Sequence, residues 1–221
     1  MSRFRDILAL HAGASVTRQI AFGDIIGSES WEVDLGRGTI GFGSKTFNIQ
    51  LLGTEAQGDA TWLWSWANEA SNFRPALLKS ALMTRTFGER EGVSEFTEPT
   101  FSLEKASGFQ LALAASGIDG RTAYYRAPYD GGALFLLITN PSVPPLQATP
   151  DERVPTIITQ MLKMVDVDHR AAVTSLLRQL GFRLENGADS LTARRRDSSL
   201  TVSFDNAGRL AKLDGTLSQP A

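Results

Sequence analysis

The sequence predicts an α+β protein: an antiparallel sheet faced by helices, followed by a small module of one helix and a four-stranded meander. Three observations carry the prediction. Apolar residues recur at helical steps near the start, from 73 to 85 and from 173 to 180; runs of period two lie between and after them; and the segment from Pro141 to Pro150 breaks the chain in two. Four prolines in those ten residues remove amide donors and stiffen the backbone into an extended connector. The expected division is an α+β domain over 1–140, a linker over 141–150 and a helix-and-meander module over 151–221. A chain of 221 residues can bury the core this requires.

The first element places Phe4, Ile7, Leu8, Phe22, Ile25 and Ile26 at the spacing of an amphipathic helix over 3–26, with Ser2 as its cap and a break near Gly13. His11 lies on that stripe and reads as a core-edge residue, since no carboxylate or nucleophile is placed beside it. From residue 31 the period becomes two. Trp31–Leu35, Thr39–Phe42 and Thr46–Leu52 are short strands separated by Gly36-Arg-Gly38 and Gly43-Ser-Lys45. After a loop over 53–59, Thr61-Trp-Leu-Trp-Ser-Trp-Ala-Asn68 completes a four-stranded meander. Read as a strand, it puts Trp62, Trp64 and Trp66 on one face, as a packed core wall or the wall of a ligand cavity.

Phe73, Leu77, Leu78, Ala81, Leu82 and Arg85 then define a helix with Pro75 in its first turn and Gly88 as its stop. A second helix is expected over about 106–116, ended by Gly117, although Phe109-Gln-Leu-Ala-Leu also fits a strand. Residues 121–128 and 132–139 bracket Tyr129-Asp130-Gly131 as a hairpin. Beyond the connector, Asp168 caps a helix carrying Val173, Leu176, Leu177 and Leu180, and Gly181 closes it. Four strands follow, over 182–185, 191–195, 200–204 and 210–213, with Leu200, Val202 and Phe204 on one face.

Composition removes whole classes of function. There is no cysteine, which excludes disulfides, thiolate metal sites and cysteine nucleophiles. Net charge is -2 with both signs dispersed, so no global field recruits nucleic acid or an anionic membrane. The one basic run, Arg194-Arg195-Arg196, reads as a solvated strand end beside Asp197. At the N-terminus charge precedes any long apolar run, and Asp6, His11, Arg18 and Asp24 interrupt the apolar residues of the first element. Neither a signal peptide nor a spanning helix fits, and a cytoplasmic location is expected.

Motifs that resemble catalytic or cofactor sites fail on context. Gly36-Arg-Gly38-Thr-Ile-Gly41 has the letters of a dinucleotide fingerprint but opens no helix, so its glycines are assigned to a hairpin. Asp166-Val-Asp168-His169 offers metal ligands within four residues, yet sits where an aspartate cap belongs. Asp205-Asn-Ala-Gly208 is a turn between strands. No Gly-x-Ser-x-Gly elbow is present, and only His11 and His169 offer an imidazole base. Glu55, Asp59, Glu69, Glu95 and Asp130 are left as carboxylates that a fold can bring together without any trace in the sequence. No metal or cofactor is expected.

The remaining chemistry lies in the tryptophan strand with Asn68 and in Tyr124-Tyr125-Arg126-Ala-Pro-Tyr129-Asp130-Gly-Gly132, where hydroxyls, a guanidinium and aromatic faces flank a turn. Arg126 and Tyr129 are the expected contact pair. The stretch from Trp31 to Gly53, the tryptophan strand, Phe87-Gly-Glu89 and this hairpin together resemble a bacterial family of domains of unknown function over about residues 1–140. That resemblance implies no activity, ligand or catalytic residue. Leu180-Gly-Phe182 and Phe204-Asp-x-x-Gly208-Arg-Leu210 resemble small bacterial adaptor or secretion-chaperone modules, by analogy only.

The expected function is a cytoplasmic binding protein without catalytic machinery, its partner a protein or small molecule and neither nucleic acid nor membrane. The competing expectation is an enzyme or small-ligand protein with a pocket lined by Trp62, Trp64, Trp66 and Tyr125. There Arg126 orients an acidic ligand and Glu69 or Asp130 transfers protons.

Overall fold

The computed structural model describes residues 3–218, so the expected Ser2 cap lies outside the described residues. In chain order its elements are α1 (Arg3–Ile26), β1 (Trp31–Asp34), β2 (Thr39–Phe42), β3 (Lys45–Ala56), β4 (Thr61–Trp64), α2 (Lys79–Glu91), α3 (Ser94–Thr97), β5 (Thr100–Ser102), α4 (Gly108–Asp119), β6 (Ala123–Tyr129) and β7 (Gly132–Ile138). Then come α5 (Val154–Met164), α6 (His169–Gln179), β8 (Arg183–Asn186), β9 (Ser190–Arg195), β10 (Ser198–Phe204) and β11 (Leu210–Thr216). This is the α+β architecture that the alternation of period predicts.

The chain forms two compact units, one of residues 19–143 and one joining residues up to 18 with those from 144 on. The division differs from the 1–140 boundary because α1 runs unbroken through Gly13. That glycine lies against Leu176 and Met161, and Ser175 and Gln179 donate hydrogen bonds to the Leu10 carbonyl at 2.7 and 3.0 Å. The start of α1 therefore packs with α5 and α6.

In the unit of residues 19–143, seven antiparallel strands form one sheet, with β3 at its centre. The hairpin of β6 and β7 joins this sheet through β7, which pairs with β3 from Ile49↔Ile138 to Ala56↔Gly132. β3 is longer than its predicted seven residues: it runs for twelve and carries a bulge at Leu52. Gly53, expected in a loop, is a strand residue paired with Trp64 of β4 and Phe135 of β7; it is glycine because an added Cβ would lie 2.6 Å from the Leu63 carbonyl and 2.7 Å from Trp62 Cε2.

Alternation gives the sheet two distinct faces. One carries Ile40, Phe42, Phe47, Ile49, Leu51, Leu136 and Ile138, covered by Phe22, Ile25 and Ile26 of α1 and by Leu77. The other carries Trp62, Trp64 and Phe135, covered by α4 and by Phe96 of α3. α4 begins at Ser107, whose side chain and that of Gln110 cap each other's backbone amides. It ends at Gly120 rather than Gly117. α2 ends at Gly92, in the left-handed region, rather than at Gly88.

In the other unit the sheet order is β11-β10-β9-β8, the predicted meander. Leu200, Val202 and Phe204 are buried on one face. Asp168 accepts the Ala171 amide at 2.7 Å as the predicted cap of α6. α5, which the sequence pattern does not separate out, precedes it. Arg195 corrects an expectation: it is a core residue rather than a solvated one. Its guanidinium binds Asp151, donates to the carbonyls of Thr149 and Leu180 at 2.6 and 2.5 Å, and lies 4.5 Å from the centre of the Phe182 ring. The strand alternation turns Arg195 inward and leaves Arg194 to pair with Glu185 at the surface.

Candidate functional site

Trp62 and Trp64 are fully buried. Their rings meet edge to face at 5.4 Å, Trp62 meets Phe135 at 5.5 Å and Trp64 meets Phe96 at 6.2 Å. The Trp64 indole N–H donates to the Glu95 carbonyl at 3.0 Å. Trp66 departs from the predicted strand, because β4 ends at Trp64 and a 3-10 turn spans Ser65–Ala67. The Ser65 hydroxyl donates to the Leu51 carbonyl at 2.6 Å beside the β3 bulge, replacing the ladder that a longer strand would make. Trp66 still stacks on Trp64 with planes 19° apart, and Arg85 lies 4.5 Å over its ring. Asn68 caps the next turn by accepting the Ser71 amide at 3.2 Å.

The hairpin residues divide between the two faces. Tyr125 packs edge to face on Trp31 at 5.6 Å and on Phe42 at 4.9 Å, opposite the tryptophan face. A pocket lined jointly by Tyr125 and Trp62 is therefore not formed. Tyr129 follows the parity of Tyr125 and lies over Gly132. Tyr124 and Arg126 share the tryptophan face with Phe135. Arg126 and Tyr129, expected as one contact pair, thus belong to opposite faces. Burial pushes the Tyr124 hydroxyl up to about 12 and raises that of Tyr125, so both phenols carry their protons at neutral pH.

The cluster around Arg126 was not assembled by sequence reasoning. Glu55 accepts the Gly108 amide at 3.0 Å with one oxygen and binds Arg126 Nε at 3.3 Å with the other. The side chains of this pair are 11% and 27% exposed. An added Cβ at Gly108 would lie 2.7 Å from Glu55 Oε1 and 2.6 Å from the Phe135 ring, so only glycine admits the carboxylate here. The next residue, Phe109, meets Phe135 at 5.4 Å and Tyr124 at 6.5 Å, and Arg126 stands 6.0 Å from its centroid. Phe109 nevertheless remains 44% exposed. The available signal was Glu55, the one carboxylate of β3, on the half of the strand that follows the apolar Leu51-Leu52.

The other carboxylates do not join it: Asp59 and Asp130 are exposed in separate turns, Glu69 is exposed at the start of the 3-10 turn Glu69–Ser71, and Glu95 accepts from Ser94. Among the described residues no three histidine, aspartate or glutamate side chains are grouped to hold a metal. Asp166 pairs with Arg5 at 3.0 Å, and His169 Nδ1 accepts the Leu210 amide at 3.0 Å. Two surface grooves of about 620 and 250 Å³ lie in the unit containing α6, and no tryptophan or tyrosine lines either. No described helix is long and apolar enough to cross a membrane.

Comparison with known proteins finds no match among curated proteins and none among solved structures. A family model does match from α1 through the end of β7, the segment that contains the tryptophan face and the Glu55–Arg126 pair. The chain belongs to the family of unknown function DUF6882, matched over residues 5–141.

Proposed function

We propose that this is a protein-binding module whose contact surface is centred on Phe109 and Arg126. The observation that carries the reading is an exposed phenylalanine held rigidly by two buried rings, with an arginine fixed beside it by Glu55. Rigid aromatic and arginine side chains dominate binding hot spots, because they lose little freedom on association and offer large contact area with directional donors. The tryptophans contribute by holding the sheet face from beneath and Asn68 by fixing the turn that follows them, while Tyr129 lies outside the contact surface. The reading assigns the protein to a bacterial cytoplasm and gives no role to a cofactor, nucleic acid or membrane.

Site-specific photo-crosslinking in the producing cell tests it. Benzoylphenylalanine at position 109 should yield a discrete adduct that Arg126→Ala weakens, and the same group at exposed Glu104 should not. Equal labelling from the two positions would overturn the reading.

A further inference from the structure

The two sheets end on five edge strands: β1, β5 and β6 in the larger, β8 and β11 in the smaller. An open edge offers unpaired amides and carbonyls to any extended chain, and proteins blunt such edges with shortness, charge or proline. Four of the five are blunted. β5 has three residues, β1 and β8 have four each, and β1 also carries Glu32 and Asp34. On β6 the Tyr124 amide is taken by the Gln19 side chain at 3.0 Å, and Pro128 has no amide to offer.

β11 also carries charges, Lys212 and Asp214, but of opposite sign, and its seven residues, Leu210-Ala-Lys-Leu-Asp-Gly-Thr216, contain no proline and are mostly exposed. The Leu210 amide is taken by His169 Nδ1 at 3.0 Å and the pairing with β10 shifts register at Ala211, so the open run is Lys212–Thr216. One edge pairs with β10, in the register Ser203↔Lys212, Val202↔Leu213 and Thr201↔Asp214, and the other is the end of the sheet. Val202 faces the core, so Lys212 and Asp214 stand on the solvent face, one step to either side of Leu213. They pair with each other at 2.7 Å while remaining 67% and 55% exposed.

This arrangement is self-complementary. When two copies of β11 run antiparallel about a two-fold axis at Leu213, Lys212 of each copy stands directly opposite Asp214 of the other. Ala211 then stands opposite Gly215, the pairing stops short of Leu210, whose amide already serves His169, and no like charges oppose each other. Opposite charges directly across a ladder stabilise it, and like charges there destabilise it. We propose that β11 is a self-association edge: two copies of this chain join their four-stranded sheets into one of eight strands, with the crossed Lys212–Asp214 pairs setting the register. A strand that sets a like charge or no charge opposite Lys212 and Asp214 is disfavoured, so the same pair that admits a second copy discriminates against such chains. A single seven-residue edge buries less surface than a standard stable interface, which makes the association concentration-dependent.

Sedimentation of the full chain from low to several hundred micromolar tests this. The wild-type mass should rise from 24.0 kDa towards twice that value. Lys212→Asp alone and Asp214→Lys alone should each stay monomeric with an unchanged circular dichroism spectrum. Their equimolar mixture should form a heterodimer, and the double charge swap should dimerise again. A wild type that stays monomeric throughout overturns the proposal, as does a dimer that survives both single substitutions or a mixture that does not associate. Should a single variant unfold, amide exchange within wild-type β11 decides: slowing with concentration supports the pairing, and concentration-independent exchange overturns it.

Discussion

Replacing Trp64 by alanine removes the centre of an aromatic stack in which it touches Trp62, Trp66 and Phe96. A buried tryptophan contributes roughly 150–250 Å² of surface, which at about 25 cal/mol per Å² corresponds to about 4–6 kcal/mol for the whole side chain. Alanine keeps a part of this, and losing the N–H bond to the Glu95 carbonyl costs about 1 kcal/mol. The rings around the site are held by their own partners and collapse only partly, so the expected loss is about 4 kcal/mol. That is a large fraction of the ~5–15 kcal/mol that stabilises a typical domain. All four tryptophans lie between residues 19 and 143, so fluorescence during urea unfolding reports that unit alone. Trp66→Ala, at a half-buried ring, should cost only about 1–2 kcal/mol. A Trp64→Ala midpoint within error of wild type, with unchanged near-ultraviolet circular dichroism, would refute the assignment of this residue to the core.

The packing sets three further outcomes. Gly53→Ala should destabilise by about 2 kcal/mol, because the new methyl group collides with the Trp62 ring and the Leu63 carbonyl; urea unfolding checks it. Arg195→Ala strands the buried Asp151 carboxylate and should cost about 3–5 kcal/mol, lowering the thermal midpoint seen by far-ultraviolet circular dichroism. Tyr124, raised by burial from 10.0 to about 12, stays protonated in the folded state where the unfolded chain ionises. Its contribution is therefore fully present below pH 10.0 and lost as pH rises towards about 12, and Tyr124→Phe should remove that part of the alkaline loss of stability.

Features set by short-range rules were legible in the sequence. Asp168 as a cap, Gly181 as a helix exit and the alternation of Leu200, Val202 and Phe204 depend on a few neighbouring residues. Features that depend on distant chain segments were not legible. β4 stops at Trp64 because Ser65 finds a carbonyl on β3, a contact with no trace in the local pattern. Arg195 looked like part of a solvated basic run, because its carboxylate and carbonyl partners lie between residues 147 and 180. The same applies to the candidate site. Arg126 was visible as chemistry, but its partner Glu55 is 71 residues away, and Phe109 lay in a segment whose apolar pattern suits helix and strand alike. Reading the hairpin as one surface joined Arg126 with Tyr129, whereas strand parity separates them.

The dissociation rate of the partner captured by crosslinking at position 109 tests the proposed contact surface of Phe109 and Arg126 most directly. With that partner immobilised, Phe109→Ala and Arg126→Ala should each speed dissociation by about tenfold or more while changing the association rate little, since short-range contacts act on residence time. Tyr129→Ala, on the opposite face, should leave both rates unchanged. Folded Phe109 and Arg126 variants that dissociate at the wild-type rate would contradict the account.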